Sequence, residues 1–239
     1  MKIKKLISAL VLGSMLVGLS GCNITDFSAE NLLRPPKAVG DEAEIEQLIA
    51  KTADSGYTLK YPKNGKFRSA IIMTDLDGND SNEAVAFFRN SAETSSVHML
   101  VMYSKDNSWE IASDNIFETT DIDSVDFADI NGNGRAEIIV NSTTYTPNVG
   151  KLSCYSYSEG KTSEVGSGQS CSSFVTGDFD NDGTSEIMSL VLYTTENEAL
   201  ASMLDYNEDS KSLYAKAMAN MDPNVVKYKN IAVTKLDND

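Results

Sequence analysis

Three short stretches of the chain place oxygen-bearing side chains at alternate positions. They are Asp75-Leu76-Asp77-Gly78-Asn79, Asp129-Ile130-Asn131-Gly132-Asn133 and Asp178-Phe179-Asp180-Asn181-Asp182. Each has a Glu at the ninth position, Glu83, Glu137 and Glu186, and an apolar run follows. In a tight loop, side chains 1, 3 and 5 converge on one point. Carboxylate and amide oxygens gathered there suit a hard cation, and Ca²⁺ takes roughly six to eight oxygen ligands. The expected ligands are Asp75, Asp77, Asn79 and Glu83; Asp129, Asn131, Asn133 and Glu137; and Asp178, Asp180, Asp182 and Glu186. A backbone carbonyl near position 7 (Ser81, Arg135, Thr184) could add to each shell, and Gly134 and Gly183 at position 6 permit a sharp turn.

An EF-hand needs a Glu at position 12 and a helix after it. Position 12 here is Ala86, Val140 and Ser189, and the runs that follow read as strands. Asp, Asn and Gly also favour metal-free turns. Turn propensity alone does not explain three copies with Glu in register. Carboxylate count ranks the third loop as the tightest site and the second as the weakest.

The surrounding elements read as β. Segments 84–88, 99–103, 137–140 and 187–193 are almost continuously apolar, as in strands buried on both faces. Lys105-Asp106-Asn107, Glu159-Gly160-Lys161 and Asn207-Glu208-Asp209 read as turns. The loops start 54 and 49 residues apart, with about four strand-sized segments after each. In the second unit these are roughly 136–145, 150–158, 161–167 and 172–177. Such a unit fits a four-stranded propeller blade. Residues 41–53 read as a helix, capped by Asp41 with Glu44 three residues on, and Ile45, Leu48 and Ile49 share its apolar face.

Residues 1–20 carry Lys2, Lys4 and Lys5, then an apolar stretch over 6–17 that is short for a membrane span. Leu19-Ser20-Gly21-Cys22 follows. This order resembles the signal and lipobox of bacterial lipoproteins. The resemblance implies lipidation of Cys22, anchoring to the cell membrane and an extracytoplasmic location. Residues 22–40 read as a tether, with Pro35-Pro36 and little periodicity.

The loop motif with its β run resembles the FG-GAP/VCBS repeats of integrin-α-like β-propellers. The resemblance covers about residues 60–239. It implies an all-β fold: a partial β-propeller of three to four four-stranded blades over 57–239, preceded by a signal peptide (1–21), the tether and one short helix (41–56). It also implies structural Ca²⁺ in loops that join strands of a blade. The first loop departs from the pattern with Asp80 where Gly is usual. Residues 234–239 match the start of a fourth loop, with Lys235 in place of the first Asp. Three and a half blades do not close a ring, so a truncated product is expected.

The formal charge of −15 disfavours a nucleic-acid partner. His98 is the sole histidine, which argues against a Ser-His-Asp triad or a His-rich zinc site. Hairpin register around Glu159-Gly160 would place Cys154 opposite about residue 165, away from Cys171, so a disulfide is not expected. Trp109 is expected in a blade core, and Tyr145, Tyr155 and Tyr157 in strand packing or along a sugar- or protein-binding surface. The expected role is a non-enzymatic module that binds an extracellular protein or glycan. A carbohydrate-active propeller enzyme and a nonfunctional truncated fragment are the alternatives.

Overall fold

The computed structural model describes residues 40–53, 56–146, 148–193 and 198–221. Cys22, the signal and tether segments and the fourth loop start lie outside the described residues.

Helix α1 spans Asp41–Ala53. Its apolar residues recur every four positions, so Ile45, Ile49 and Ala53 form one buried stripe. The helix starts one residue earlier than a cap at Asp41 would place it. The carbonyl of Gly40, in the left-handed region at φ 63°, accepts the amides of Ala43 and Glu44. Asp41 sits inside the first turn with Glu42 and Glu44, where negative charge favours the helix dipole.

The rest is all-β, in three antiparallel sheets, none of which closes on itself. The first contains β1 (Tyr57–Leu59), β2 (Ile71–Thr74), β3 (Glu83–Asn90), β4 (Val97–Lys105) and β5 (Ser108–Phe117). β1 and β2 share one edge of β3, pairing with residues 88–90 and 83–86. The second sheet is β6 (Ile122–Ala128), β7 (Glu137–Thr143), β8 (Gly150–Ser158) and β9 (Lys161–Cys171) in that order. The third is β10 (Ser173–Gly177), β11 (Glu186–Tyr193), β12 (Glu198–Asn207) and β13 (Ser212–Met221). Each acidic loop therefore lies inside a sheet, joining β2 to β3 in the first, β6 to β7 in the second and β10 to β11 in the third. This shifts the expected unit by one strand: the segment 172–177, counted as the last strand of the second unit, pairs instead with β11 to open the third sheet.

The predicted turns follow from backbone chemistry. Asp106 and Asn107 both adopt positive φ, as do Glu159 and Gly160, and each pair closes a two-residue hairpin. This is the twist that matches paired strands. Cys154 faces Gly166 and Cys171 faces Gly150, with register shifts along β8 and β9. No disulfide joins the two cysteines, and both are fully buried.

Alternation along the strands sets up the packing. On β3, Val85 and Phe87 face the second sheet, whereas Ala84, Ala86 and Phe88 face α1. The core between the first two sheets holds Met99, Val101, Ile138, Val140 and Tyr155 among others. On the opposite face of the second sheet, Ile139, Leu152 and Cys154 meet Ile187 and Leu204 of the third. Trp109 is buried with α1 over the outer face of the first sheet. The sheets thus pack face to face in series, with the helix covering the first. Among the described residues no helix is long and apolar enough to cross a membrane.

Ile49 has no exposed surface and lies at the centre of the α1 contact. Ile49→Ala is expected to lower unfolding free energy in urea by about 2–5 kcal/mol. Gln47→Ala, on the exposed side, should change it by no more than about 0.5 kcal/mol. Equal effects would mean that the helix contributes nothing to the fold by docking.

Candidate metal-binding loops

The three loops fold by the same internal bonds. The Asp at position 1 accepts backbone amides from positions 5 and 6. For Asp75 these are Asn79 at 3.3 Å and Asp80 at 2.9 Å; for Asp129, Asn133 at 3.1 Å and Gly134 at 2.7 Å; for Asp178, Asp182 and Gly183, both at 3.2 Å. The side chain at position 5 accepts the amide at position 7: Asn79 from Ser81, Asn133 from Arg135, Asp182 from Thr184. Positions 4 and 6 are left-handed throughout: Gly78 and Asp80, Gly132 and Gly134, Asn181 and Gly183. Asp80 takes φ 65°, so the departure from Gly there does not alter the loop. The in-register pair Gly78 and Gly132 was the sequence signal for position 4.

The ninth residue ties the loop to the sheet. Glu83, Glu137 and Glu186 each open the strand that follows the loop, β3, β7 and β11, opposite Thr74, Ala128 and Gly177. One oxygen of each accepts the amide at position 2: Leu76 at 2.8 Å, Ile130 at 3.0 Å, Phe179 at 2.8 Å. All three carboxylates are buried. The side chains at position 2 follow: Leu76 enters the core between the first and second sheets, Ile130 that between the second and third. Neighbouring loops are also bonded to each other, Ala136 N–H to Leu76 carbonyl and Ser185 N–H to Asp129 carbonyl, both at 2.9 Å.

The other Glu oxygen separates the loops. In the second loop, Asn131 Nδ2 donates to Glu137 Oε1 at 2.7 Å, so both carboxylate oxygens are satisfied within the protein. In the third loop Glu186 Oε1 is buried without a hydrogen-bond partner, and in the first Asp77 Oδ1 is. These are the two loops whose acids cluster. Asp75, Asp77 and Glu83 bring one oxygen each within 4.8 Å of one another, as do Asp178, Asp180, Asp182 and Glu186. A buried carboxylate oxygen with no donor is costly. A cation would satisfy it, and both donor sets could hold one. The second loop, with Asn at positions 3 and 5, gathers no comparable set.

One neighbour of the third loop had no signal in the sequence. Lys216 on β13 donates to Asp180 Oδ2 and lies 3.2 Å from Asp205 Oδ2. These contacts hold the Lys216 ammonium well above its usual range and Asp180 below its own. This fixed positive charge offsets one of the four carboxylates and narrows the expected lead of the third loop over the first.

Burial and the nearby Asp77 and Asp75 charges raise Glu83; burial together with Asp180 and Asp182 raises Glu186. Asp75 moves down: burial pushes it up, but the amides of Asp80, Gly78, Asn79 and Asp77 outweigh that. Burial drives Glu137 up to about 7, against the bonds from Ile130, Ser156 and Asn131.

His98 is buried on β4. Its Nδ1 lies 2.9 and 3.0 Å from the Asp114 carboxylate oxygens, Nε2 lies 3.3 Å from Asn90 Nδ2, and the ring stacks on Phe88.

No protein-family model matches the sequence, and no curated protein matches it.

The raised Glu137 sets a pH signature. Its protonated form is favoured in the fold, so its contribution is complete below pH ~4.5 and is lost as pH rises through about 7. With chelator present, the melting temperature is expected to fall between pH 5 and 7.5. Glu137→Gln should flatten that fall, and the difference between the two curves isolates this carboxyl. Parallel curves would mean that Glu137 does not titrate there.

Proposed function

We propose that the chain is a lipid-anchored, extracytoplasmic binding module built on a β-propeller scaffold, with Ca²⁺ bracing two of its three acidic loops. The observation that carries the metal reading is the pair of orphaned buried oxygens, Asp77 Oδ1 and Glu186 Oε1, each in a loop that gathers three or more carboxylates. Oxygen-only donors suit a hard cation such as Ca²⁺ better than zinc or copper. Asp75, Asp77 and Glu83 would hold one ion, and Asp178, Asp180, Asp182 and Glu186 the other. The cation would supply charge compensation and rigidity. Asn131 takes its place in the second loop by bonding Glu137.

The propeller reading is supported by three successive antiparallel sheets that pack face to face, each with an acidic loop joining two neighbouring strands. β6 and β10, the first strands of adjacent sheets, are joined by Thr176 Oγ1 donating to Asp126 Oδ2 at 2.8 Å. Such an order around an axis puts first strands innermost. The lipid anchor rests on Leu19-Ser20-Gly21-Cys22 and the charged and apolar residues before it. The non-enzymatic reading rests on the use of the acidic residues in loop folding. Its ligand is an extracellular protein or glycan; nucleic acid is disfavoured by charge.

Calorimetric titration of the chelated protein with Ca²⁺ should give about two equivalents. Asp77→Ala and Asp178→Ala should each remove one, and Asp129→Ala none. Asn131→Asp should add a third, because it replaces the internal donor with a carboxylate. Each occupied site at about 100 Kd of free ion should add about 2.7 kcal/mol of stability. Three equivalents in the unaltered protein would overturn the distinction between the loops, and none would overturn the metal reading. Separately, release of shorter products from incubated cell-wall glycans would replace the non-enzymatic reading with the enzymatic one.

A further inference from the structure

The sheet ends opposite the acidic loops also carry unsatisfied polar groups, among them Asn141 Oδ1. There β7 ends at Thr143 and β8 begins at Gly150, and two clefts flank this connection. The larger, about 480 Å³, lies between the end of β5 and the second sheet. That is within the roughly 300–1,000 Å³ of small-ligand sites. Phe117 and Tyr155, packed edge to face at 6.0 Å, both line it, as do Glu118, Lys151 and Glu164. Burial pushes the Tyr155 hydroxyl up to about 12, so it remains a donor at neutral pH. Tyr145 stands on the rim and is 93% exposed. None of Glu118, Lys151 and Glu164 is in a salt bridge among the described residues.

The smaller cleft, about 170 Å³, is lined by Asp123, Asn141, Asn148 and Ser172, and shares Thr143 and Thr144 with the larger. Asn141 is 1% exposed. Its Nδ2 donates to Asp123 Oδ2 at 3.4 Å, but its Oδ1 has no partner. A Cβ at position 150 would lie 2.3 Å from that oxygen and 2.6 Å from the Ser142 carbonyl, so only glycine lets the Asn141 amide sit here at the cleft wall. A buried amide oxygen without a donor costs about 1–3 kcal/mol, which a hydroxyl donor placed in the cleft would recover.

We infer that these adjoining clefts form one binding site for a neutral oligosaccharide, with Asn141 Oδ1 accepting a sugar hydroxyl and the Tyr145 ring stacking on a sugar face. The inference rests on the reading of the chain as a binding module and names its site and ligand class. Hydroxyl and amide groups dominate the walls, which matches the alternating donors and acceptors of a sugar. A protein-binding patch would instead centre on apolar side chains. Here Ile116 and Tyr145 are the large apolar groups exposed at the larger cleft. Three carboxylates, Asp123, Glu118 and Glu164, against the one Lys151 disfavour an acidic glycan.

The test is titration of the calcium-loaded full chain with cello-, chito-, xylo- and manno-tetraose, followed by calorimetry and intrinsic fluorescence. At least one should bind with Kd roughly between 10 μM and 1 mM. Tyr145→Ala should weaken it at least tenfold while leaving the melting temperature unchanged, because the ring is in solvent. Asn141→Ala should weaken it too. The inference is overturned if no tetraose binds at 10 mM, as expected of a protein-binding surface, or if Tyr145→Ala binds as the parent does. Absent sugar binding with a normal calcium response leaves the scaffold reading intact. A missing calcium response with sugar binding would do the reverse.

Discussion

The fold depends on one recurring contact: a buried glutamate at the start of a strand accepting the amide of the apolar residue seven positions before it. In Glu83–Leu76, Glu137–Ile130 and Glu186–Phe179 this bond closes the loop against its sheet. It fixes where the residue after the first Asp points, and in the first two loops that residue enters the core between sheets. A buried carboxylate is tolerated only when its remaining oxygen is also satisfied. The constraint has two solutions in one chain. The second loop uses an Asn at position 3; the other two place carboxylates there, in clusters that could hold a cation.

Because adjacent loops are bonded to each other, the constraint extends beyond one sheet. The amides of Ala136 and Ser185 reach back to carbonyls of the preceding loop. Gly78 and Gly132 leave room for this approach: a Cβ would lie 3.2 Å from Gly134 O and from Thr184 Oγ1, respectively. The loops therefore act as a row that sets sheet spacing at one end. Side-chain alternation on β3 and β7 fills the layers between.

Much of this was legible from residue types. Helix α1 follows from the Ile45, Leu48, Ile49 spacing, and its predicted span matches, with Gly40 in the left-handed region just before it. The hairpin turns follow from residues that accept positive φ. Sheet membership was harder. β10 is half-buried along its whole length and lacks a clear apolar run, so only pairing reveals that it opens a sheet rather than closing one. The ligand positions were read from spacing. Carboxylate count already ranked them, but the contacts behind the difference were not legible: a side-chain bond, Asn131 to Glu137, and Lys216, which is 36 residues from Asp180. The bulges in β9 were not legible either: the expected strand stops at 167, just before Gly168 at φ 88°, whereas β9 runs on to Cys171.

The two ends of the sheets differ in how their polar groups are used. At the loop end most of the acidic oxygens are committed to a backbone amide, a lysine or a cluster that could hold a cation, leaving little with which to recognise a variable partner. At the other end, Asn141 Oδ1 is unmatched, and Lys151, Glu118 and Glu164 face a cleft without ion-pair partners among the described residues. An oxygen that already closes a loop could bind a ligand only by giving up that bond. Recognition is therefore cheaper where the fold has left groups uncommitted, and the rigidity set by the loop end keeps those groups in place without consuming them.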